Sequence, residues 1–163
     1  MFRKKLYVKK HNDKLPDLIK TEKGDLIDLY VSDIVSVNGN TKLKWETNKD
    51  KEVFKVMKGD KILIDFGVSI KLPKGYRADL IARSSTFKNT GMIQGNCDGK
   101  IDNSYCGNND RWMAMFYCTE NNIIERYSRL CQFELQKVQP KLKFVYVEDL
   151  KSKDRGGYGS TGK

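Results

Sequence analysis

The chain has 163 residues, of which 39% are hydrophobic and 32% charged, and it carries a net charge of +10. That length suits one domain with a modest core, and no stretch approaches the roughly 18 apolar residues that a membrane-spanning helix needs. The basic balance fits either a solvated surface or attraction of a polyanion, and charge alone does not separate the two.

The apolar runs are short and rich in β-branched and aromatic residues, with glycine and asparagine clusters between them. This is the pattern of many short strands joined by turns. Leu26–Tyr30 comes first and holds Asp28 in an apolar setting, where a carboxylate is costly unless it has a partner or a role. Ile34–Val37 follows. Asn38-Gly39, between that run and Thr41–Trp45, predicts a two-residue hairpin turn. The polar, lysine-rich stretch 38–51 reads as a surface hairpin or insertion. Lys61–Ile70 is the next extended run, closed by Lys71-Leu72-Pro73-Lys74-Gly75 because proline cannot donate to a ladder. Ala78–Ala82 leads into Arg83-Ser84-Ser85-Thr86, an arginine with hydroxyls suited to phosphate, and residues 86–89 suit one short helical turn.

The stretch Gly95–Gly107 is rich in glycine and asparagine and reads as a hairpin with exposed backbone. Asp102 and Tyr105 lie three apart, so on a regular strand they would face opposite sides. Only a turn at Asn103-Ser104 lets them cooperate. A carboxylate there can orient and deprotonate a water; capping its own turn is the structural alternative. Trp112–Cys118, Arg129–Leu135 and Phe144–Val147 complete the extended runs, with Arg129 and Gln132 the polar positions of the second.

The last segment, Lys151–Lys163, changes character, with four glycines and no aliphatic residue. On composition it is a mobile tail. Its glycines can form an anion nest, Arg155 adds a planar charged fork for phosphate, and Tyr158 offers a face for stacking.

Cys97, Cys106, Cys118 and Cys131 form no CxxC pair, and His11 is the one histidine. A structural zinc site is therefore not expected. No apolar run of the secretory kind follows the basic start of the chain. The expectation is four reduced, mostly buried thiols in a cytosolic protein.

The segments around Asp28, Arg83-Ser84-Ser85, Gly95–Gly107, Arg129-Leu130-Cys131-Gln132 and the tail ending Gly159-Ser160-Thr161-Gly162, in that order, resemble the five motifs of the trimeric dUTPase family. Each is weak alone, but the ordered set is specific and covers the chain from about Gly24 to Gly162. The resemblance implies an all-β, jelly-roll-like fold (a β-clip) with one short helix and a substrate-covering tail. The division it suggests is a β domain over 1–150 and a tail over 151–163. It also implies a homotrimer whose three active sites are shared between subunits.

The implied activity is hydrolysis of dUTP to dUMP and pyrophosphate with Mg2+, which limits uracil in DNA and supplies dUMP for dTMP synthesis. By matching position, Asp102 is the catalytic carboxylate. Tyr105 packs on the deoxyribose. Asn96, Gly99 and Ile101 belong to the uracil-reading hairpin. Arg83, Ser84, Ser85 and Gln132 contact phosphates or their waters. Asp28 holds waters around the metal. Arg155, Tyr158, Gly159, Ser160 and Thr161 close over the nucleotide. The short tail, Tyr158 where phenylalanine is usual, and Asn109-Asp110-Arg111-Trp112 look like a phage and prophage branch, in which aromatic residues just after the third motif can help cover the uracil; Arg111, Trp112 and Met113 occupy that region here. Leu26-Ile27 stands where Ala-Gly is usual.

Two rival readings share the fold. A dCTP deaminase would need a catalytic glutamate and generally lacks this tail. A phage dUTPase-like protein that binds a host regulator would use a surface such as 38–51. A nucleic-acid partner is not favoured.

Overall fold

The computed structural model describes residues 4–156. The expected contacts of Tyr158, Gly159, Ser160 and Thr161 lie outside the described residues.

Thirteen strands and one short helix make up the described chain. In chain order they are β1 (Tyr7–Lys10), β2 (Ile27–Tyr30), β3 (Asp33–Val37), β4 (Glu46–Asn48), β5 (Lys51–Val56), β6 (Lys61–Asp65), β7 (Val68–Lys71), β8 (Tyr76–Ala82), α1 (Thr86–Thr90), β9 (Met92–Gln94), β10 (Asp98–Ile101), β11 (Met113–Cys118), β12 (Asn122–Glu125) and β13 (Arg129–Lys137). Two four-stranded sheets, β10-β8-β13-β2 and β3-β6-β11-β9, are flanked by the pair β1-β7 and the three strands β12-β5-β4. All pairings are antiparallel.

Period-2 alternation decides which face of each strand is buried. On β11, Ala114, Phe116 and Cys118 are buried while Met113, Met115 and Tyr117 face out. Leu80 of β8 and Phe133 of β13 are ladder partners and both are buried. Phe133 meets the fully buried Trp112 edge to face, with ring centroids 5.0 Å apart. Such a pair contributes about 0.5–1.5 kcal/mol beyond its area. Ile62, Ile64, Phe66, Leu29 and Val31 fill the same core.

The turn at Asn38-Gly39 forms as expected, with φ of 51° and 84°. The arm beyond it does not pair as a strand, and the partner of β3 is β6. A single bridge, Val37 to Asn40, is all that remains of that hairpin. The hairpin of this region is β4–β5, turning at Lys49 and Asp50, both with positive φ. Trp45 pins the segment: its Nε1 donates to Asp33 at 2.8 Å, its ring meets Phe54, and the Arg126 guanidinium lies 4.7 Å from its centroid.

Lys61–Ile70 is two strands, not one. At Gly67 the chain turns with φ of 66°, and a Cβ there would come within 2.6 Å of the Ser32 side chain. Phe144–Val147 forms no strand: Phe144, Val145 and Tyr146 lie exposed and pair with no strand among the described residues. Gly95–Gly107 is not a hairpin ladder either. Its strand β10 pairs with β8, and β9 pairs with β11. All four cysteines are free as expected, but Cys97 and Cys106 are exposed, and only Cys118 and Cys131 are buried. The two exposed thiols sit in turns, where no apolar face calls for burial.

Candidate active site

The long β8–β13–β2 ladder places one polar row across four strands. Asp98, Ile81, Gln132 and Asp28 are successive cross-strand partners, so their side chains share the outer face. Arg83 leaves the end of β8 on the same side. Its Nε lies 2.7 Å from Asp28 Oδ1, and Arg129 Nη1 donates to Asp28 Oδ2 at 3.0 Å.

Arg129 and Gln132 are three apart and would face opposite sides of a regular strand. A register shift between Arg129 and Cys131 removes that conflict. Two guanidiniums thus converge on one carboxylate, leaving one uncompensated positive charge for an anion. Ser84 is exposed beside them. Ser85 is the residue before α1, and its hydroxyl makes no capping hydrogen bond. Thr86 Oγ1 donates to Leu130 O at 2.7 Å and ties this loop to β13. Arg83, Ser85 and Arg129 line one cavity of about 350 Å³.

The second group sits beyond the other end of β10. A turn follows Ile101, with the Tyr105 N–H donating to Asp102 O at 3.0 Å. This turn brings the Asp102 carboxylate and the Tyr105 phenol to one cavity of about 430 Å³, lined also by Lys100, Ile101, Ser104, Arg111, Trp112 and Met113. Asn103, expected only as a residue of the turn, is also its anchor. Its amide nitrogen faces Pro73 O at 2.9 Å, Tyr76 O at 3.0 Å and Leu72 O at 3.4 Å. An asparagine inside a turn is an everyday signal, so nothing local marks this one. Lys100 also bonds Asp79, at 2.6 Å, and Asp98, at 3.3 Å.

Asn96 and Gly99 lie at the other end of β10 and do not line this cavity. A Cβ on Gly99 would stand 3.4 Å from Leu80 Cβ and 3.8 Å from Asn96 Nδ2, so the glycine lets the strand lie close on β8. Arg155 is exposed and outside any strand.

The two groups do not meet within one chain. Asp102 lies four residues along β10 from the row that holds Gln132 and two strands across, a separation of roughly 16 Å at ordinary strand spacings. Among the described residues, no cluster of three His, Cys, Asp or Glu side chains could cage a metal. Asp28, the carboxylate nearest the anion-ready pair, already accepts from Arg83 and Arg129. That donor set suits Mg2+ only in the form that keeps its waters and takes phosphate oxygens, with Asp28 outside them.

Solved structures with this architecture are nucleotide hydrolases of one all-β, jelly-roll-like class. The dUTPase of Staphylococcus bacteriophage 80alpha, solved with dUpNHpp, superposes with a TM-score of 0.69 over 98% of this chain and 99% of that one, at 18% identity. The dUTPase of phage phi11 of S. aureus, in a variant described as revealing a structural Mg(II) ion, gives 0.66 over 91% and 99%, at 15% identity. In sequence, the dUTPase family model matches residues 48–162. A prophage-derived deoxyuridine 5'-triphosphate nucleotidohydrolase of Bacillus subtilis is 39% identical over 143 residues, 88% of this chain and 87% of that protein. A deoxyuridine 5'-triphosphate nucleotidohydrolase of Fusobacterium nucleatum is 32% identical over 69% of this chain and 77% of its own length. The chain belongs to the dUTPase family.

Proposed function

We propose that this protein hydrolyses dUTP to dUMP and pyrophosphate at sites shared between three copies of the chain. The observation that carries the reading is the single turn that presents Asp102 and Tyr105 to one cavity. Asp102 accepts a proton from a water whose oxygen attacks the α-phosphorus. The bond from that phosphorus to the bridging oxygen breaks, and pyrophosphate leaves. Tyr105 packs on the deoxyribose, and Ile101 with the backbone of β10 borders the base. Arg83, Arg129 and Gln132 receive phosphate oxygens, with Ser84 and Ser85 beside them. Mg2+ would supply charge neutralisation at the triphosphate, with Asp28 placed to hold its waters. Arg155 and the glycine-rich end of the chain cover the phosphates. Such chemistry asks mainly for positioning and charge compensation.

The separation of the two groups on one sheet supports sharing of the site. In this reading a neighbouring copy brings its Arg83 group to this copy's Asp102. Two surfaces are available for such contacts. Ile93, Met115 and Tyr117 stand exposed on the adjacent strands β9 and β11, with Tyr117 directly opposite Ile93. Leu142, Phe144 and Tyr146 extend beyond β13 with no partner strand among the described residues. Apolar area of this kind on a charged chain marks an interface. No described helix is long and apolar enough to cross a membrane, and the reading places the enzyme where nucleotides are, in the cytosol.

The direct test is pyrophosphate release from dUTP compared with dCTP, dTTP and UTP, with ammonia release from dCTP as the control for deaminase chemistry. Release from dUTP alone supports the reading, and ammonia from dCTP would replace it. Sharing is tested by mixing two inactive variants, Asp102→Asn and Arg83→Gln, under subunit exchange. Recovered turnover is expected, and none would place each site within one chain.

A further inference from the structure

Asp65 is the last residue of β6 and only 2% exposed, yet it is charged and touches no part of the proposed chemistry. Burial pushes its carboxyl above the usual range, and the Gly67 N–H and the Arg111 guanidinium offset only part of that rise. A buried carboxylate of this kind is held only where its partners are fixed. Its Oδ1 accepts the Gly67 N–H at 2.7 Å, and its Oδ2 pairs with the Arg111 guanidinium.

Arg111 is itself clamped. Its neighbour Trp112 donates its N–H to Val68 O at 2.9 Å and accepts the Phe66 N–H at 3.0 Å. The Arg111 N–H donates to Asn109 O at 2.9 Å. The Arg111 carbonyl accepts the Tyr105 hydroxyl at 3.1 Å. A continuous line of contacts therefore runs from the core strand, through Asp65 and Arg111, to the tip of the Tyr105 ring. Tyr105 is 42% exposed.

We infer that Asp65 and Arg111 are positioning residues that set sugar specificity by holding the Tyr105 ring against the place of a ribose 2′-hydroxyl. The inference rests on the proposed dUTP hydrolysis. A ring rejects an added hydroxyl only if it cannot yield. A tyrosine free to rotate about χ1 and χ2 can move aside at small cost, whereas one bonded at its hydroxyl to a fixed carbonyl cannot. The Arg111 side chain, 34% exposed, is tied to the interior by its ion pair with the buried Asp65. Without that carboxylate the guanidinium loses its buried partner, and the carbonyl to which Tyr105 donates is held only through the backbone bonds of Arg111 and Trp112.

The experiment compares kcat/KM for UTP and dUTP in the full-length wild type, in Asp65→Asn, in Tyr105→Phe and in the double variant. The Asp65→Asn change should raise relative UTP turnover roughly tenfold, part of the 10- to 200-fold worth of a small misfitting group. The gain should come mainly through a lower KM for UTP, with kcat on dUTP changed less than about twofold. A merely structural lesion would lower both substrates together. Tyr105→Phe removes only the hydroxyl and lies at the surface, so it reports on the same line of contacts should Asp65→Asn fail to fold, and it too should relax discrimination. The double variant should do no more than the stronger single one, because both cut one chain of contacts. Wild-type discrimination in folded Asp65→Asn or in Tyr105→Phe overturns the inference while leaving dUTP hydrolysis standing. A wild-type protein that releases no pyrophosphate from dUTP overturns the reading beneath it.

Discussion

Arg83 reaches Asp28 at 2.7 Å although their strands, β8 and β2, are separated by β13. The contact spans the Gln132 position on β13, and Arg129 joins it from the same strand. One carboxylate thus keeps two guanidiniums ordered before any anion arrives. Arg83→Gln should lower kcat/KM for dUTP by about 10²–10³, the usual loss for one donor aimed at developing charge. Binding of deoxyuridine, which has no phosphate, should be unchanged. Steady-state kinetics and calorimetry check the two halves, and weakened deoxyuridine binding would remove Arg83 from the phosphate role.

Asp102 is exposed on a turn whose backbone bond, from Tyr105 N–H to Asp102 O, does not involve its carboxylate. Asp102→Asn should therefore leave fold and nucleotide binding intact while removing the base, which is worth about 10²–10⁴ in rate. Turnover near the wild-type rate, with unchanged affinity for a non-hydrolysable dUTP analogue, would take the proton-accepting role away from Asp102.

The turn at Asn103-Ser104 was legible because two polar residues three apart cannot share a face without one. The short helix and most strands were legible from runs of β-branched residues bounded by glycine and proline. The partner of β3 was not. Asn38-Gly39 signals a local hairpin, but burial of Ile34 against Ile64 favours the distant β6. The bulge that turns Arg129 towards Asp28 was hidden for a related reason, since strand parity assumes an even ladder. Phe144–Val147 has the composition of a strand, and composition does not say whether an edge will be free in the same chain. Asp65 and Arg111 are far apart in sequence, and no spacing rule reports that a buried acid will meet a particular arginine. The ordered motifs supplied the candidate residues, while their spread over two ends of one sheet appeared only in three dimensions.

Asn103 supplies one amide to carbonyls of Pro73 and Tyr76, joining the site turn to the β7–β8 turn. Asn103→Ala should reduce stability by about 1–3 kcal/mol, because partly buried carbonyls lose their donor. It should also lower kcat more than it raises KM, since the loosened turn carries the base. Urea unfolding and steady-state kinetics measure the two effects. Unchanged stability would mean that the backbone holds the turn unaided.

The thiols divide into two classes. Burial pushes Cys118 up to about 11, with the nearby Asp60 charge adding to it, and burial alone drives Cys131 higher still. Cys97 and Cys106 are exposed. At pH 8 a thiol reagent should label no more than two cysteines in the native protein and all four after unfolding, as read by intact mass. Labelling of Cys131 without unfolding would contradict the packing of β13 against the core.

Asp79 tests the charge pattern on the outer face of β8. Partial burial alone would raise its carboxyl, but the hydrogen bonds and charges of Lys100 and Arg77 outweigh burial and leave it below the ordinary 3.8. A carboxyl with a lowered folded value adds stability that is fully present above the unfolded value. That stability is lost as pH falls through 3.8 towards the folded value. Urea unfolding followed from pH 6 to about pH 3 should therefore show a declining acid limb that Asp79→Asn flattens. Lys100→Met should flatten it as well, because it removes the first-ranked partner among those that lower Asp79. An acid limb identical in wild type and both variants would assign the acid sensitivity to other carboxylates and leave the Asp79–Lys100 contact without weight in the fold.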